Sequence, residues 1–405
     1  MASTAGLSID SAVGPLAGAA APAEVASVRS RIASIDVMRG LVIVIMLLDH
    51  VREAFFAHVP VGDPMDVEAT EPALFAQRLA AHLCAPTFVF LTGLGAWLYA
   101  NPASGAPRSA SGFLIKRGLL LIFLELTVIN LAWYGDVPPK TLWLQVIWAI
   151  GISMVVLGLV SHLPRVLLAV IGFTIVFGHN LLTPIHFEPG HPLFAIWTLL
   201  HERAFLVPDG ALKVKVTYPV LPWIGVIMLG YVAGPIYSRV VESERRVRML
   251  VMLGLGCLAL FLVLRGFNLY GETLPWVTHA DGIRTLMDFV NVTKYPPSLD
   301  FLLLTLGTAM LLMAWFERHD GPLTRAIAEI GGAPMFFYIL HLYVLLALQR
   351  LAVASFGANH GERWGVDHVQ WLWLIAPLLA FALYWPTRAF GRYKRRTTRA
   401  WVKYF

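Results

Sequence analysis

Charge is what this sequence has least of: Asp, Glu, Lys and Arg make up 14% of its 405 residues, against about a quarter in a soluble domain. So few charges exclude a chain that water has to dissolve on every side. Cysteine is nearly absent. Cys84 and Cys257 both fall inside apolar runs, which excludes a disulfide framework and a Cys-rich zinc cluster; both read as small packing residues. Also missing are an internal repeat and an inverted pair of Gly/Pro-interrupted spans, and their absence weakens a transporter reading. The first 30 residues, rich in Ala, Gly, Ser and Pro, lack a cationic region followed by an apolar one and a cleavage site. They read as a disordered cytoplasmic tail, and the first apolar run as an uncleaved signal anchor.

What is present is apolar. Hydrophobic residues make up 58% of the chain and the mean hydropathy is +0.68. Lipid leaves backbone polar groups no partner but each other, so spans are helices or closed barrels. Runs near 20 residues select helices, whereas a barrel alternates over ~10-residue segments. Runs bounded by charge, Gly and Pro predict ten spans, at 36–57, 79–100, 113–133, 141–161, 165–183, 217–238, 248–267, 298–316, 333–356 and 369–388. The segment 192–207, apolar but broken by His201, Glu202 and Arg203, reads as interfacial or re-entrant. The expected fold is an all-α polytopic bundle of about ten transmembrane helices, 31–390, between a tail at 1–30 and a basic tail at 391–405.

The cations orient it. The formal charge is +6, yet Lys and Arg sit beside apolar runs instead of forming one patch, which argues for topology signals over nucleic acid. Alternate connections carry Arg29, Arg31 and Arg39; Arg108, Lys116 and Arg117; Arg165; Arg239, Arg245, Arg246 and Arg248; Arg318 and Arg325; and Arg388 through Lys403. Positive loops stay inside, so both termini are expected in the cytoplasm. The C-terminal cations, interleaved with Tyr393, Trp401 and Tyr404, suit an anionic leaflet.

Polar residues at membrane depth are the candidates for chemistry. In the first span Ser34 or Asp36 can cap the helix, and Arg31 and Arg39 either orient the chain or bind phosphates of a nucleotide-like cofactor. Asp49 and His50 lie about 20 Å further in. Asp49 shares a face with Arg52 and Glu53 and is expected to pair with Arg52, which leaves His50 freer to act. Arg78 and His82, four residues apart, enter the second span at His50's level, and His58 lies in the loop between. Imidazole titrates near neutrality and suits a general base; these histidines show no metal-ligand spacing. Glu125 and Asn130 lie in the third span. His341 is placed in the inner half of the ninth span, away from His50's depth. Lys294, at the outer mouth of the eighth, serves as an anion holder or a snorkelling anchor. The pairs Gly225/Gly230, Gly254/Gly256 and Gly331/Gly332 read as close helix packing.

These residues together resemble the bacterial membrane proteins grouped with the catalytic domain of heparan-α-glucosaminide N-acetyltransferase, among transmembrane acyltransferases. The resemblance rests on Ser34-x-Asp36-x-x-Arg39-Gly40 running to Asp49-His50-x-Arg52, on Arg78 through His82-x-Cys84-x-Pro86 to Gly93, on Tyr218 to Gly225, on Lys294 to Ser298, and on Phe337-Tyr338-x-x-His341. It spans about residues 31–350. It implies that cytoplasmic acetyl-CoA donates an acetyl group to a sugar amine or hydroxyl on the far side, with an intramembrane histidine at the reaction centre. His50 falls where the lysosomal enzymes carry an Asn, and His58 lies in the loop that holds their active-site His; the luminal β-domain of those enzymes is missing.

The expectation is an acyltransferase with Arg31, Arg39 and Arg117 on the CoA phosphates, and His50, His82 or His58, with Asp49, at the reaction. Arg52, Arg78, Lys294 and His341 would hold the acceptor. The expected partners are the bilayer, donor and acceptor, with a homodimer admitted and neither nucleic acid nor metal. The rival readings are a permease with a Glu125, His50 and His341 proton path, and a non-catalytic assembly subunit.

Overall fold

The computed structural model describes residues 1, 22–102, 106–399 and 401–402, the side chains of 22–33 excepted. Helix α1 (Pro22–Phe55) already begins in the stretch read as tail; residues 2–21 lie outside the described residues. Helices α2 (Pro72–His82) and α3 (Cys84–Ala100) are nearly continuous across Leu83. The third span is α4 (Ser111–Leu124), a π turn (Glu125–Ile129) and α5 (Asn130–Tyr134), stopped by the left-handed Gly135. Strand β1 (Thr141–Leu144) takes the place of the first turn expected for the fourth span, and α6 (Val146–Val160) follows.

Then come α7 (Arg165–Gly178), a 3₁₀ turn (His179–Leu182), α8 (Phe194–Leu200), β2 (Phe205–Val207), β3 (Lys213–Val216), α9 (Leu221–Ala233) and a second 3₁₀ turn (Gly234–Tyr237). The chain closes with α10 (Ser243–Gly266), α11 (Gly282–Phe289), α12 (Leu299–Arg318), α13 (Pro322–Gly331), α14 (Pro334–Phe356) and α15 (Gln370–Arg396). Every expected span contains helix. Six described helical segments are long and apolar enough to cross a membrane, and α6 and α9 are shorter apolar helices. The segment expected to be interfacial holds α8 and β2. Its seven-residue helix reaches only about 10 Å, far short of a bilayer core.

Helix α1 is the axis of the bundle, touching α2, α3, α12, α13, α14 and α15. Around it α3 packs on α9, α4 on α6, α7 on α9 and α10 on α12. Two glycine crossings set the tightest approaches. A Cβ on Gly40 would stand 2.0 Å from the Ile327 carbonyl oxygen, and one on Gly331 would stand 1.8 Å from that of Asp36. Only glycine lets backbones approach so closely. Gly93 and Gly230 seat α3 on α9 in the same way.

The two ends of the bundle are tied differently. At the end holding Ser34, the Glu317 carboxylate receives the Ser34 hydroxyl and, at 2.7 Å, the Arg246 guanidinium. At the opposite end the loop 57–71 is laced to the loop 268–298. Asp63 accepts the backbone N–H groups of Lys294 and Tyr295 at 3.1 and 2.9 Å, and the Asn291 side chain bonds Met65 N and O. Burial raises the Asp63 carboxyl above the usual carboxylate range, and the Lys294 N–H and charge pull the other way. Beside these loops lies a three-stranded sheet, β1-β3-β2, parallel between β1 and β3 and antiparallel between β3 and β2. Its edge is plugged by Asn130, whose side-chain amide bonds Trp143 N and O at 2.9 and 3.1 Å.

Candidate functional site at the meeting of two cavities

Asp36, Arg39, Ile43, Met46, His50 and Glu53 follow one another at three- and four-residue steps and so form one stripe of α1. From Asp36 to Glu53 it covers about 25 Å at 1.5 Å per residue. Every one of them lines a cavity.

The first cavity, about 320 Å³, lies at the Arg39 end. Arg39, Arg117 and Lys394 make it cationic, Asp36 bonds Arg39 at 3.3 Å, and Ile43, Phe88, Leu121 and Ile150 give it an apolar wall. The Arg117 Nε–H is buried without an acceptor. An unmet guanidinium N–H beside a second guanidinium suits phosphate oxygens, and the apolar wall suits an extended chain carried behind them. The second cavity, about 300 Å³, opens at the other end among Asp49, His50, Arg52, Arg78, Arg203 and Lys294. Met46, Val146 and Tyr338 line both cavities. A third, about 480 Å³, reaches His50 from between α5 and α14.

His50 stands where they meet. Its Nδ1 lies 2.7 Å from His341 Nε2, and His341 Nδ1 lies 2.8 Å from the Phe337 carbonyl oxygen. A carbonyl only accepts, so His341 carries its proton on Nδ1 and accepts at Nε2. His50 therefore donates from Nδ1, and its Nε2 keeps a lone pair on the cavity side. The ring is held edge-on by Trp133 at 4.8 Å and Tyr338 at 5.8 Å between centroids. The Tyr338 hydroxyl is buried with the Trp133 indole N–H beside it, and its own proton has no acceptor among the described residues. A base oriented by a second group, facing an unspent hydroxyl donor, is the arrangement acyl transfer uses.

This geometry corrects the expected depth of His341. Because Gly331 lies against Asp36 and Gly40, α14 starts beside the Arg39 turn of α1 instead of at the membrane edge. Seven residues from Pro334 then reach the level that α1 reaches ten residues after Gly40. The expected Asp49–Arg52 pair is also secondary. Arg78 Nη1 meets both Asp49 oxygens at 2.8 and 2.9 Å, while Arg52 Nε stands at 3.4 Å and its Nη2 contacts Glu53. Asp49 thus ties α1 to α2 as a buried pair, and removing either member would strand a charge.

Of the other candidates, Arg39 and Arg117 come together and Arg31 lies outside the described side chains. Lys294 lines the second cavity with its ammonium 5.2 Å from the Tyr295 ring, and Arg203 covers the same ring at 4.6 Å. Two cations over one ring, neither in an ion pair with a described acid, leave this mouth ready for an anionic group. His82 is buried against Phe301, 5.2 Å between centroids, with Nδ1 unpartnered, and lines none of the three cavities. His58 stacks on His360 at 3.6 Å in a separate depression. Glu125 accepts Trp148 N at 3.1 Å in the first turn of α6, where a carboxylate meets the positive end of the helix dipole.

Tyr338, Trp133, Arg203 and Lys394 are site residues to which the sequence reading gave no role at the site. Tyr338 had a signal, standing one turn before His341. Lys394 had none: α15 continues to Arg396, carrying it into the first cavity where a surface tail was expected.

Among known proteins, a family model described as Heparan-alpha-glucosaminide N-acetyltransferase, catalytic, matches residues 31–267. No curated protein matches. The matched stretch carries Arg39, His50, Arg78 and Arg117; Lys294, Tyr338 and His341 lie beyond it.

Proposed function

The chain belongs to the heparan-alpha-glucosaminide N-acetyltransferase catalytic family, and from that premise we propose that it moves an acetyl group from acetyl-CoA in the Arg39 cavity to an amine or hydroxyl acceptor in the Arg78 cavity. The bundle crosses a bacterial inner membrane ten times with the Arg39 end and both termini in the cytoplasm. Transfer then runs from inside to outside without moving CoA across.

Arg39, Arg117 and Lys394, with Arg31, hold the CoA phosphates, and the apolar wall leads the pantetheine arm toward Met46. The thioester carbonyl comes to rest by Tyr338, whose hydroxyl donates to the oxygen as negative charge develops on it. His50 Nε2 takes the proton from the acceptor nitrogen or oxygen as that atom bonds to the carbonyl carbon. The carbon–sulfur bond breaks, and the CoA thiolate leaves with the proton that His50 has gained. His341 fixes the tautomer throughout. Arg203 and Lys294 position the acceptor.

The observation that carries this reading is the His341–His50 relay at the meeting of a cationic and an outward cavity. A permease with a Glu125 path is less well supported, because Glu125 is engaged by α6 and lines none of the three cavities. Inverted vesicles given labelled acetyl-CoA test the proposal: it expects a labelled glycan, lipid or protein product that disappears with His50→Ala. No such product, alongside metabolite flux in proteoliposomes, would sink it.

A further inference from the structure

A second cavity system lies on the outer wall of the bundle, away from His50. Helices α7 and α10 are among the least buried of the membrane-length helices. They pack on α9 and α12 respectively, and a slot of about 650 Å³ lies between them. Its floor is Leu229 of α9, Pro235 and Ile236 of the 3₁₀ turn, and Leu306 and Met310 of α12. On α10 the lining residues are Arg245, Met249, Leu253 and Cys257, one residue per turn; on α7 they run from Arg165 to Phe173 and Phe177. Each stripe runs 12 steps along its helix and covers about 18 Å at 1.5 Å per step. That is close to half of a ~30 Å hydrocarbon core, the reach of one leaflet's acyl chains.

The slot has a charged mouth. Arg165 and Arg245 stand at the same end, and neither makes an ion pair or a hydrogen bond among the described residues. Each occupies the first turn of its helix, where the dipole disfavours a cation. Two cations held against their own helix dipoles, at the top of an apolar slot one leaflet deep, are complementary to a single kind of occupant.

We propose that this slot binds an anionic glycerophospholipid, with its phosphate between Arg165 and Arg245 and its chains running down the floor toward Phe177 and Cys257. The lipid comes from the leaflet at the Arg39 end of the bundle, since Arg246, next to Arg245, meets Ser34 through Glu317 at that end. It closes the gap between α7 and α10, and with α9 and α12 as its floor it braces the half of the bundle that α3 joins to α1. The site is independent of the acetyl-transfer reading.

The full-length protein, purified in a mild detergent and exchanged into mixtures of phosphatidylglycerol and phosphatidylcholine with identical chains, tests this by native mass spectrometry. One phosphatidylglycerol is expected to remain on each chain under conditions that strip phosphatidylcholine. Arg165→Gln with Arg245→Gln should lower that retention about tenfold, the worth of a charge-assisted hydrogen bond. Arg239→Gln with Arg248→Gln, cations nearby that do not line the slot, should leave it unchanged, and Leu253→Trp should exclude lipid by filling the space. Monodisperse elution of each variant shows that it is folded. Equal retention of the two lipids, or undiminished phosphatidylglycerol on the Arg165/Arg245 variant, would overturn the proposal. So would oxidative Cys257–Cys257 cross-linking of wild type in the membrane, which would place a second copy in the slot.

Discussion

Replacing His341 by Phe keeps a ring of similar size in the core but removes the acceptor that His50 Nδ1–H uses at 2.7 Å. The stranded N–H then costs about 1–3 kcal/mol, and a kcat effect of the same size is roughly 5- to 150-fold. His341→Gln is the matched control, because its terminal oxygen stands near the position of the lost Nε2 and restores an acceptor. Acetyl transfer from labelled acetyl-CoA should therefore fall by about 10–100-fold in the Phe variant and recover most of the way in the Gln variant, with KM for the donor little changed in both. His50→Ala should lose about 10²- to 10⁴-fold, the usual worth of a general base. In that background the His341 change should cost nothing more, since residues acting as one unit are not additive. Equal rates for His341→Phe and wild type, or equal losses for Phe and Gln, would refute the relay.

Tyr338→Phe should lower kcat by about 10²- to 10³-fold, as the loss of an oxyanion donor does, while thermal stability changes by no more than about 1 kcal/mol, because the buried O–H has no acceptor to lose. Arg39→Gln with Arg117→Gln should raise KM for acetyl-CoA and leave turnover of acetyl-pantetheine, which lacks the phosphates, unchanged. Gly331→Ala forces a Cβ to within 1.8 Å of the Asp36 carbonyl; overpacking of this kind costs about 1–3 kcal/mol, which should show as a lower melting temperature. In the outer loops, His279 stands 2.9 Å from Asp288 and 2.7 Å from Glu68, and its hydrogen bond to Asp288 leads in raising its pKa above 6.5. A raised histidine stabilises fully below its unfolded pKa and loses that contribution as pH climbs through the folded one. Protease resistance of the 57–71 loop should therefore be greatest below pH 6.5 and fall as the pH climbs past that value, and His279→Ala should flatten the dependence.

Much of this architecture was legible because lipid leaves the chain few options. Apolar runs bounded by charge located every described long helix, and the three- and four-residue stripe from Asp36 to Glu53 is plain once α1 is drawn as a helix. The misses share a cause: they depend on how helices meet. The i, i+3 rule paired Asp49 with Arg52, but a neighbouring helix brought Arg78 closer. Counting residues from the membrane edge misplaced His341, since glycine packing of α13 on α1 moves the start of α14. The alternation Lys213-Val-Lys215-Val216 was a strand signal within a stretch read as loop, and Thr141–Leu144 looked like helix because its partner strand lies some 70 residues away.

Passage of the acetyl group from one face to the other beside His50 can be followed directly. The direct measurement uses sealed inverted vesicles, loaded with glucosamine and cell-envelope extract and given labelled acetyl-CoA outside only. Transfer across the bundle puts labelled product inside, dependent on His50 and His341, while CoA stays outside. Product confined to the outer solution, or product that survives His50→Ala, would contradict it.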